Sequence, residues 1–400
     1  MEKSSDYLIV GGGVVGLNLA LEARRRHPKR RVVVLEKESA CGKHASGRNS
    51  GVLHAGFYYT ADSLKARFCR EGNHLMTRYC QERGLRINRC GKLVVARQET
   101  DLPVMEELLR RGAANGVELE SLSLSQAQVL EPRVRTVDRA IHSPTTSSVD
   151  PKEVMGALAE DARSAGVDIR VGTALLGWER GVARTTNGDV SAGYLINAAG
   201  LYADRIAHMC GFGLQSAILP FKGLYLYSDE PVGALRTHIY PVPDLANPFL
   251  GVHYTLTVDG HAKVGPTAVP AFWREHYEGL SGFRWQESME IVWREMGLFL
   301  RNDFGFRQLA WQEMQKYRRR EMVRQAGVLA TAVDEKHYRR WGPPGVRAQL
   351  VNLRNHRLET DFRYEGDRGS FHVLNAVSPG FTCAMPFGRY LFDQIDALLG

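Results

Sequence analysis

The spacing of apolar positions changes soon after the start of the chain. A continuous apolar run at Tyr7–Val10 is followed by a glycine-rich turn, and apolar residues then recur at helical spacing through Leu21. This pattern predicts a strand, a tight turn and a helix. The turn carries Gly11-x-Gly13-x-x-Gly16. The first glycine permits the turn, the second lets the backbone approach a pyrophosphate, and the third lets the helix pack closely on the strand.

A second apolar run, Arg31–Leu35, predicts a strand that ends in Glu36, twenty residues after Gly16. In a dinucleotide-binding unit, an acid at this place binds a ribose hydroxyl while the helix N-terminus faces the pyrophosphate. The alternative is a glycine-rich turn that binds no ligand. The second strand, the spacing of twenty residues and the acid together disfavour that alternative. The motif predicts dinucleotide binding and is as compatible with NAD as with FAD.

The segment 40–56 is rich in glycine and small polar residues, so it predicts a loop that packs closely against a ligand or another part of the chain. A nicotinamide cofactor has little need of such a loop. A flavin is larger and permanently held, and it needs backbone N–H groups and small residues around its ring. The loop therefore favours a flavin.

Further along, helical and strand patterns alternate in a way that departs from a plain doubly wound sheet. Helices are predicted at 61–84, 102–116 and 125–130, from Asp150 to 163, over much of 285–324 and from about 385 to 398. Strands are predicted at 91–96, 166–171, 182–186, 190–196 and 371–374, with antiparallel strands between 219 and 269.

The predicted fold class is mixed α/β, with a Rossmann-like dinucleotide domain of discontinuous segments. A substrate domain, built on an antiparallel sheet plus helices, is inserted into it. We assign 1–84, 140–215 and 340–400 to the first domain and 85–139 and 216–339 to the second.

Composition narrows the class of protein. The chain has 400 residues, of which 44% are hydrophobic and 24% charged, as in an ordinary globular protein. Its net charge of +8 favours anionic substrates or a membrane surface. The sequence has no basic stripe with interleaved aromatic residues, so it does not predict nucleic-acid binding. Six cysteines without CxxC spacing predict unpaired thiols and no metal site.

The expected location is the cytoplasm or the cytoplasmic face of a membrane. The first strand begins too early to leave room for a signal or transit peptide, and no run of about 18 apolar residues could span a bilayer. The aromatic and basic stretch 285–324 has two interpretations, either helices that flank the sheet or a surface that faces a membrane or partner.

Several longer strings carry a family resemblance over nearly the whole chain. They are Ser46-Gly-Arg-Asn-Ser-Gly-Val-Leu-His-Ala-Gly-Phe-Tyr-Tyr59, Asn197-Ala-Ala-Gly200, Pro220-Phe-Lys-Gly223, Asn247-Pro-Phe-Leu-Gly-Val-His-Tyr254, Gly345-Val-Arg-Ala-Gln349 and Ser378-Pro-Gly380. With the glycine motif, they resemble the FAD-dependent D-amino-acid oxidase and glycine oxidase superfamily. Within it, the chain looks most like the L-2-hydroxyglutarate dehydrogenase/oxidase family.

This resemblance implies oxidation of L-2-hydroxyglutarate to 2-oxoglutarate by hydride transfer from C2 to flavin N5, with electrons passing to a quinone or another acceptor. It implies FAD, held noncovalently because no His or Cys matches a covalent attachment site. The implied cofactor-binding residues are Gly11, Gly13, Val15, Gly16, Glu36, Lys37, Ser46, Arg48, Asn49, Ser50, Val171, Ala199, Gly200, Asp204, Pro379, Gly380, Phe381 and Thr382.

The chemistry needs a base for the hydroxyl proton and cations for two carboxylates. His253 is the expected base, and His54 is expected to lie against flavin or substrate, because a neutral imidazole suits proton transfer near neutral pH. Arg347 is expected to grip the C1 carboxylate and to belong to the catalytic set. Lys222 or Arg48 is expected at the distal carboxylate, and Tyr58, Tyr59 and Tyr254 are candidate pocket residues.

Two other functions remain open from the sequence. A flavin amine or amino-acid oxidase of the glycine or sarcosine oxidase type would use the same scaffold and the arginine but would not need a second cation. A redox-inactive dinucleotide-binding or membrane-docking protein would be colourless or would hold a flavin that no 2-hydroxy acid reduces. Each histidine also has a purely structural interpretation, and each cation has one as a surface salt bridge.

Overall fold

The computed structural model describes residues 5–245 and 250–400. The first three residues of the Asn247–Tyr254 string therefore lie outside the described residues. In chain order the α-helices are α1 (Val14–Arg26), α2 (Leu64–Glu82), α3 (Leu102–Ala114), α4 (Leu124–Leu130), α5 (Pro151–Ser164), α6 (Ala203–Met209), α7 (Trp285–Arg301), α8 (Phe306–Gln315), α9 (Arg319–Ala326) and α10 (Gly380–Leu399).

The strands are short, and most are buried. In chain order they are β1 (Ser5–Val10), β2 (Val32–Leu35), β3 (Val52–Leu53), β4 (Ile87–Asn88), β5 (Lys92–Val95), β6 (Glu120–Ser123), β7 (Arg139–Ser143), β8 (Ser147–Val149), β9 (Asp168–Arg170), β10 (Leu175–Glu179), β11 (Val182–Thr185), β12 (Gly188–Asn197), β13 (Ser216–Gly223), β14 (Leu226–Tyr227), β15 (His238–Pro241), β16 (His253–Leu256), β17 (Ala262–Gly265), β18 (Val269–Pro270), β19 (Arg340–Trp341), β20 (Gly345–Asn352), β21 (Arg363–Gly366) and β22 (Ser370–Asn375).

The described residues divide into two compact units. Unit 1 comprises residues up to 48, 151–220 and 347–400. Its core is a parallel sheet in the order β22, β12, β1, β2, β9, extended by the antiparallel strands β10, β11 and β21. Helix α1 packs against α5 and α10. This arrangement of parallel strands and covering helices is the Rossmann-like architecture that the sequence predicts.

Unit 2 comprises residues 49–150 and 221–346. Its main sheet runs in the order β19, β14, β17, β16, β15, β5, β7, β6, and a small antiparallel sheet joins β3, β8 and β4. The main sheet is antiparallel except that β15 and β5 pair in parallel. The strands predicted to be antiparallel between 219 and 269 pair as expected, and the one parallel pair joins them to β5 from an earlier part of the chain.

The division differs from the predicted one mainly at 49–84, which the sequence assigned to the dinucleotide domain. In the structure, Val52 and Leu53 pair with Ser148 and Ser147, and helix α2 packs on β3 and β4. These pairings tie the segment to unit 2. Residues 140–150, which the sequence also assigned to the dinucleotide domain, belong to unit 2 as well, because β7 pairs with β5 and β8 pairs with β3 and β4.

Local signals explain several element ends. Ser63 caps α2 by accepting a hydrogen bond from the Ala66 amide at 3.1 Å, and Ser123 and Gln126 form a capping box on α4. The predicted start of the last helix at about 385 is wrong, because α10 begins at Gly380 and takes Gly380–Thr382 into its first turn. Across the described residues, no helix is long and apolar enough to cross a membrane.

Candidate active site

The turn between β1 and α1 in unit 1 leaves no room for side chains at two of its glycines. Gly11 has a φ of +112°, and a Cβ there would lie 2.5 Å from the Ala198 carbonyl oxygen. A Cβ at Gly16 would lie 1.9 Å from the carbonyl oxygen of Gly11. Both positions therefore require glycine, and the turn packs directly against the end of β12.

The first turn of α1 presents backbone donors above this turn. The Val14 amide donates to Ser46 Oγ at 2.9 Å. The amides of Val15 and Gly16 follow it, at positions where an α-helix has no carbonyl four residues earlier to receive them. With no acidic residue in the first turn, this helix end suits the pyrophosphate of a dinucleotide, so the residues present fit FAD.

Glu36 lies directly after β2 and is 7% exposed. Its Oε2 accepts a hydrogen bond from the Gly12 amide and its Oε1 accepts one from the Glu38 amide, both at 2.8 Å. A carboxylate oxygen can accept more than one hydrogen bond, so Glu36 retains the capacity to bind a ribose hydroxyl. Val171 follows the adjacent strand β9, and Lys37 contacts the Tyr202 ring.

The other predicted cofactor residues of unit 1 lie at strand and helix ends. Ala199 and Gly200 follow β12, and Pro379–Thr382 form the start of α10. Asp204 has a structural task, because its two carboxylate oxygens accept hydrogen bonds from the amides of Arg205 and Ile218. Arg48 donates to the Lys43 carbonyl at 2.9 Å. Asn49 and Ser50 of the same predicted loop belong to unit 2.

The main sheet of unit 2 has two unlike faces. Alternate residues of its central strands, including Leu93, Ile239, Tyr254 and Val264, form an apolar core with α9. The residues between them point to the other face, where polar side chains are buried: Lys92, His238, Tyr240, His253, Thr255 and Lys263. We call these six residues the polar face. Buried polar groups in such a number indicate a functional surface.

His253, the predicted base, is buried with one ring nitrogen engaged and the other left without a proton. Its ring stacks on Tyr240 with 3.7 Å between the ring centroids. Its Nδ1 lies 2.8 Å from the carbonyl oxygen of Gly251, which can only accept, so Nδ1 carries the proton and Nε2 keeps its lone pair. Burial lowers the pKa of His253 to about 3, which keeps the imidazole neutral.

His54 follows β3 and is half-buried. Burial, aided by the charge of Lys92, lowers its pKa to about 3, so it too is neutral. Because two neighbouring protonated imidazoles would repel each other, His54 also lowers the pKa of His253. The two predicted histidines therefore belong to one electrostatic environment within unit 2.

His238 is the third buried histidine of this region, and the sequence interpretation did not single it out. Its Nδ1 accepts a hydrogen bond from the Leu256 amide at 2.9 Å, and its Nε2 lies 3.4 Å from both Ser148 Oγ and Cys90 Sγ. Both ring nitrogens are thus engaged. His238 holds strands together rather than offering a lone pair.

Lys92 is the residue of this region that the sequence interpretation missed. It is 0% exposed, and its ammonium lies 4.5 Å from the ring centroids of Phe57 and Tyr58 and 5.0 Å from that of Tyr240. Burial lowers the pKa of Lys92 to about 7. The available signal was a lysine inside the otherwise apolar strand pattern of 91–96.

Two predicted substrate residues fit less well. Tyr254 lies on the apolar face of the sheet, opposite to His253, because neighbouring residues of a strand point to opposite faces. Tyr254 therefore points away from the polar face, and its place in a substrate pocket stays a prediction. Lys222 is half-buried and donates to the Tyr277 carbonyl at 2.7 Å. Tyr58 lies beside the polar face, because its ring contacts the ammonium of Lys92.

Arg347 lies on β20 in unit 1 and is half-buried. A guanidinium in a partly buried strand is well suited to bind a carboxylate through two parallel hydrogen bonds. Its role remains a prediction.

Comparisons with known proteins agree with this architecture. The family described as DAO, FAD dependent oxidoreductase, matches residues 6–394. The L-2-hydroxyglutarate dehydrogenase of Escherichia coli (strain K12) is 35% identical, covering 98% of this chain and 94% of that protein. The mitochondrial L-2-hydroxyglutarate dehydrogenase of Homo sapiens is 34% identical, over 98% and 89%.

Solved structures show the same fold. An L-alpha-glycerophosphate oxidase from Mycoplasma pneumoniae with FAD bound superimposes with a TM-score of 0.78 at 22% identity, covering 98% of this chain and 95% of that chain. Glycine oxidase from Geobacillus kaustophilus gives 0.74 at 20% identity, with the same coverage. The predicted fold class and the FAD cofactor are thereby confirmed. The chain belongs to the DAO family of FAD-dependent oxidoreductases, together with the L-2-hydroxyglutarate dehydrogenases that it resembles over almost its full length.

Proposed function

We propose that this oxidoreductase converts L-2-hydroxyglutarate to 2-oxoglutarate. The observation that carries the proposal is the polar face of unit 2, where a neutral imidazole with an unprotonated Nε2 shares a buried surface with cations. The names of the relatives at 34–36% identity support the choice of substrate. A five-carbon diacid also suits buried positive charge, which would otherwise lack a counter-ion.

The reaction breaks the O–H and C–H bonds at C2 and forms a carbonyl. His253 Nε2 takes the hydroxyl proton, while its Nδ1–H stays on the Gly251 carbonyl and holds the ring in place. Arg347 binds the C1 carboxylate and orients C2. The chemistry that FAD supplies when bound is acceptance of the hydride from C2 at N5, with onward transfer of the electron pair to an acceptor. His54, which is neutral as well, lies against the substrate or the flavin.

A substrate panel tests this proposal against oxidation of amines. We expect anaerobic L-2-hydroxyglutarate to bleach the visible flavin band of the purified holoenzyme, and glycine and sarcosine to leave it unchanged. The physical reason is that a small amine cannot satisfy a second buried cation. Bleaching by glycine or sarcosine, without bleaching by L-2-hydroxyglutarate, would reverse the assignment.

We further propose that the acceptor is a quinone in a membrane to which α7 and α8 attach. Helix α7 has a buried stripe and, separately, an exposed apolar stripe at helical spacing: Trp285, Met289, Trp293, Met296 and Leu300. Trp311 and Met314 of α8 are exposed as well. Exposed arginines accompany them at 284, 301, 307, 318 and 320. Apolar side chains with flanking positive charge match an anionic bilayer surface.

Vesicle binding tests this attachment. The wild-type holoenzyme should sediment with phosphatidylglycerol vesicles at low salt. The double variant Trp293→Glu/Trp311→Glu should bind at least roughly tenfold more weakly, because it lacks two indole rings that would be buried in the bilayer surface. Val129→Glu is the matched control, since Val129 is 76% exposed on α4 outside this surface. Wild-type protein that remains in the supernatant at low salt would refute the attachment.

A further inference from the structure

Lys92 differs from Lys263 and Lys316, two other buried lysines of unit 2, in having no hydrogen-bond acceptor among the residues that the structure describes. Lys263 Nζ donates to the Ser50 carbonyl at 2.9 Å, and Lys316 pairs with Glu313. Among the described residues, none accepts a hydrogen bond from Lys92 Nζ. Three aromatic rings surround the ammonium instead, and their faces attract a cation without neutralising it.

An unpaired ammonium at this depth weakens the fold. Removing an ammonium from water costs free energy that only a counter-charge or hydrogen-bond acceptors can restore. Methionine, which has a similar stem and no charge, would fill the same space between the rings at lower cost. A lysine at this position therefore suits a ligand better than it suits the sheet.

We propose that Lys92 binds the distal carboxylate of the substrate and so selects a dicarboxylate over a monocarboxylate. This inference rests on the proposed function, and it assigns to Lys92 the task that the sequence interpretation gave to Lys222 or Arg48. Both of those side chains have backbone carbonyls as hydrogen-bond acceptors in the structure.

The register of the sheet favours the distal carboxylate over the C1 carboxylate. Tyr240 stacks on His253, and Lys92 pairs with His238, two residues before Tyr240 on the same strand. Two residues along a strand span about 7 Å. The C1 carboxylate is bonded to the reacting carbon and must stay beside the base. The C5 carboxylate, at the other end of the carbon chain, is the one that reaches a cation one step further along the face.

The test compares two ligands that differ only in the distal carboxylate. The dissociation constants of 2-oxoglutarate and 2-oxopentanoate are measured from the perturbation of the flavin spectrum of the holoenzyme. Wild-type protein should prefer 2-oxoglutarate, and Lys92→Met should reduce that preference by roughly 10- to 100-fold, the usual effect of a hydrogen bond to a charged group. The dissociation constant of 2-oxoglutarate should rise, whereas that of 2-oxopentanoate should change little.

A thermal measurement separates binding from a structural role. Lys92→Met should raise the melting temperature of the ligand-free holoenzyme, because an unpaired buried charge is removed, whereas a structural lysine would lower it. Lys316→Met is the matched control. It removes a buried ammonium that pairs with Glu313 and lies outside the polar face, so it should lower the melting temperature and keep the ligand preference.

An unchanged preference in Lys92→Met overturns the inference, as does an equal loss in Lys316→Met. These outcomes are distinct from a failure of the proposed function, which would appear as wild-type flavin that L-2-hydroxyglutarate does not reduce. Wild-type protein that is reduced by L-2-hydroxyglutarate but binds both ligands equally would leave the function standing and remove the role of Lys92.

Discussion

Replacing His253 with glutamine is expected to slow reduction of the flavin by L-2-hydroxyglutarate at least ~100-fold, the usual share of a general base. Glutamine is polar and can donate to the Gly251 carbonyl as His253 does, but its amide oxygen is not basic enough to take the hydroxyl proton. The rate constant is measured by anaerobic stopped-flow absorbance at saturating substrate, so weaker binding does not contribute to it.

The matched control is His238→Gln. His238 is buried on the same face, but both of its ring nitrogens are engaged, so this variant should lose stability and keep a rate within a fewfold of wild type. If His54→Gln loses the activity and His253→Gln retains it, the base is His54.

The pH profile checks the same residue without mutation. The neutral form of His253 is the active one, and its lowered pKa of about 3 means that this form is lost only as the pH falls towards 3. The second-order rate constant of flavin reduction, which reports the ionisation of the protein before substrate binds, should therefore not fall between pH 7 and 5. An exposed imidazole would lose roughly 30-fold over that interval.

Gly16→Ala is expected to remove FAD binding and to destabilise the protein by at least ~3 kcal/mol. The added methyl would lie 1.9 Å from the backbone oxygen of Gly11, so the turn or the helix must shift. The amides of the first turn of α1 then no longer point at the pyrophosphate. The measurements are the flavin-to-protein absorbance ratio after purification and the thermal unfolding temperature.

Gly156→Ala provides the control for this variant. Gly156 lies in the exposed side of α5 in the same unit, and a Cβ there meets no atom within 4 Å. It should therefore keep FAD and gain up to ~1 kcal/mol in stability from the better helix propensity of alanine. Full flavin content in Gly16→Ala would contradict the account of the turn.

The nucleotide-binding half was the more predictable part of the fold. Its signals are local: Gly11, Gly16 and Glu36 have fixed spacings, and the chemistry of the turn depends on a few consecutive residues. The strands predicted at 182–186 and 190–196 are present as the hairpin β11–β12 for a similar reason, because an Asn-Gly turn joins them. The assignment of 49–84 failed because it depends on pairings with β8, a strand almost a hundred residues later.

The candidate substrate site shows where sequence patterns stop being informative. His253 and Tyr254 both lie in the same unusual string, which made both of them candidates. Neighbouring residues of a strand point to opposite faces, and only the pairing of β16 shows which face is polar. The signal for Lys92 was a lysine in an apolar strand, but its surroundings, which show that the ammonium is buried, depend on residues far away in the sequence.

Anaerobic addition of L- and D-2-hydroxyglutarate to the purified holoenzyme, with the visible flavin absorbance as the readout, tests the proposed oxidation itself. We expect the L enantiomer to bleach the band in proportion to the amount added and the D enantiomer to leave it unchanged. A flavin that stays oxidised with L-2-hydroxyglutarate, or that both enantiomers reduce equally, would contradict it.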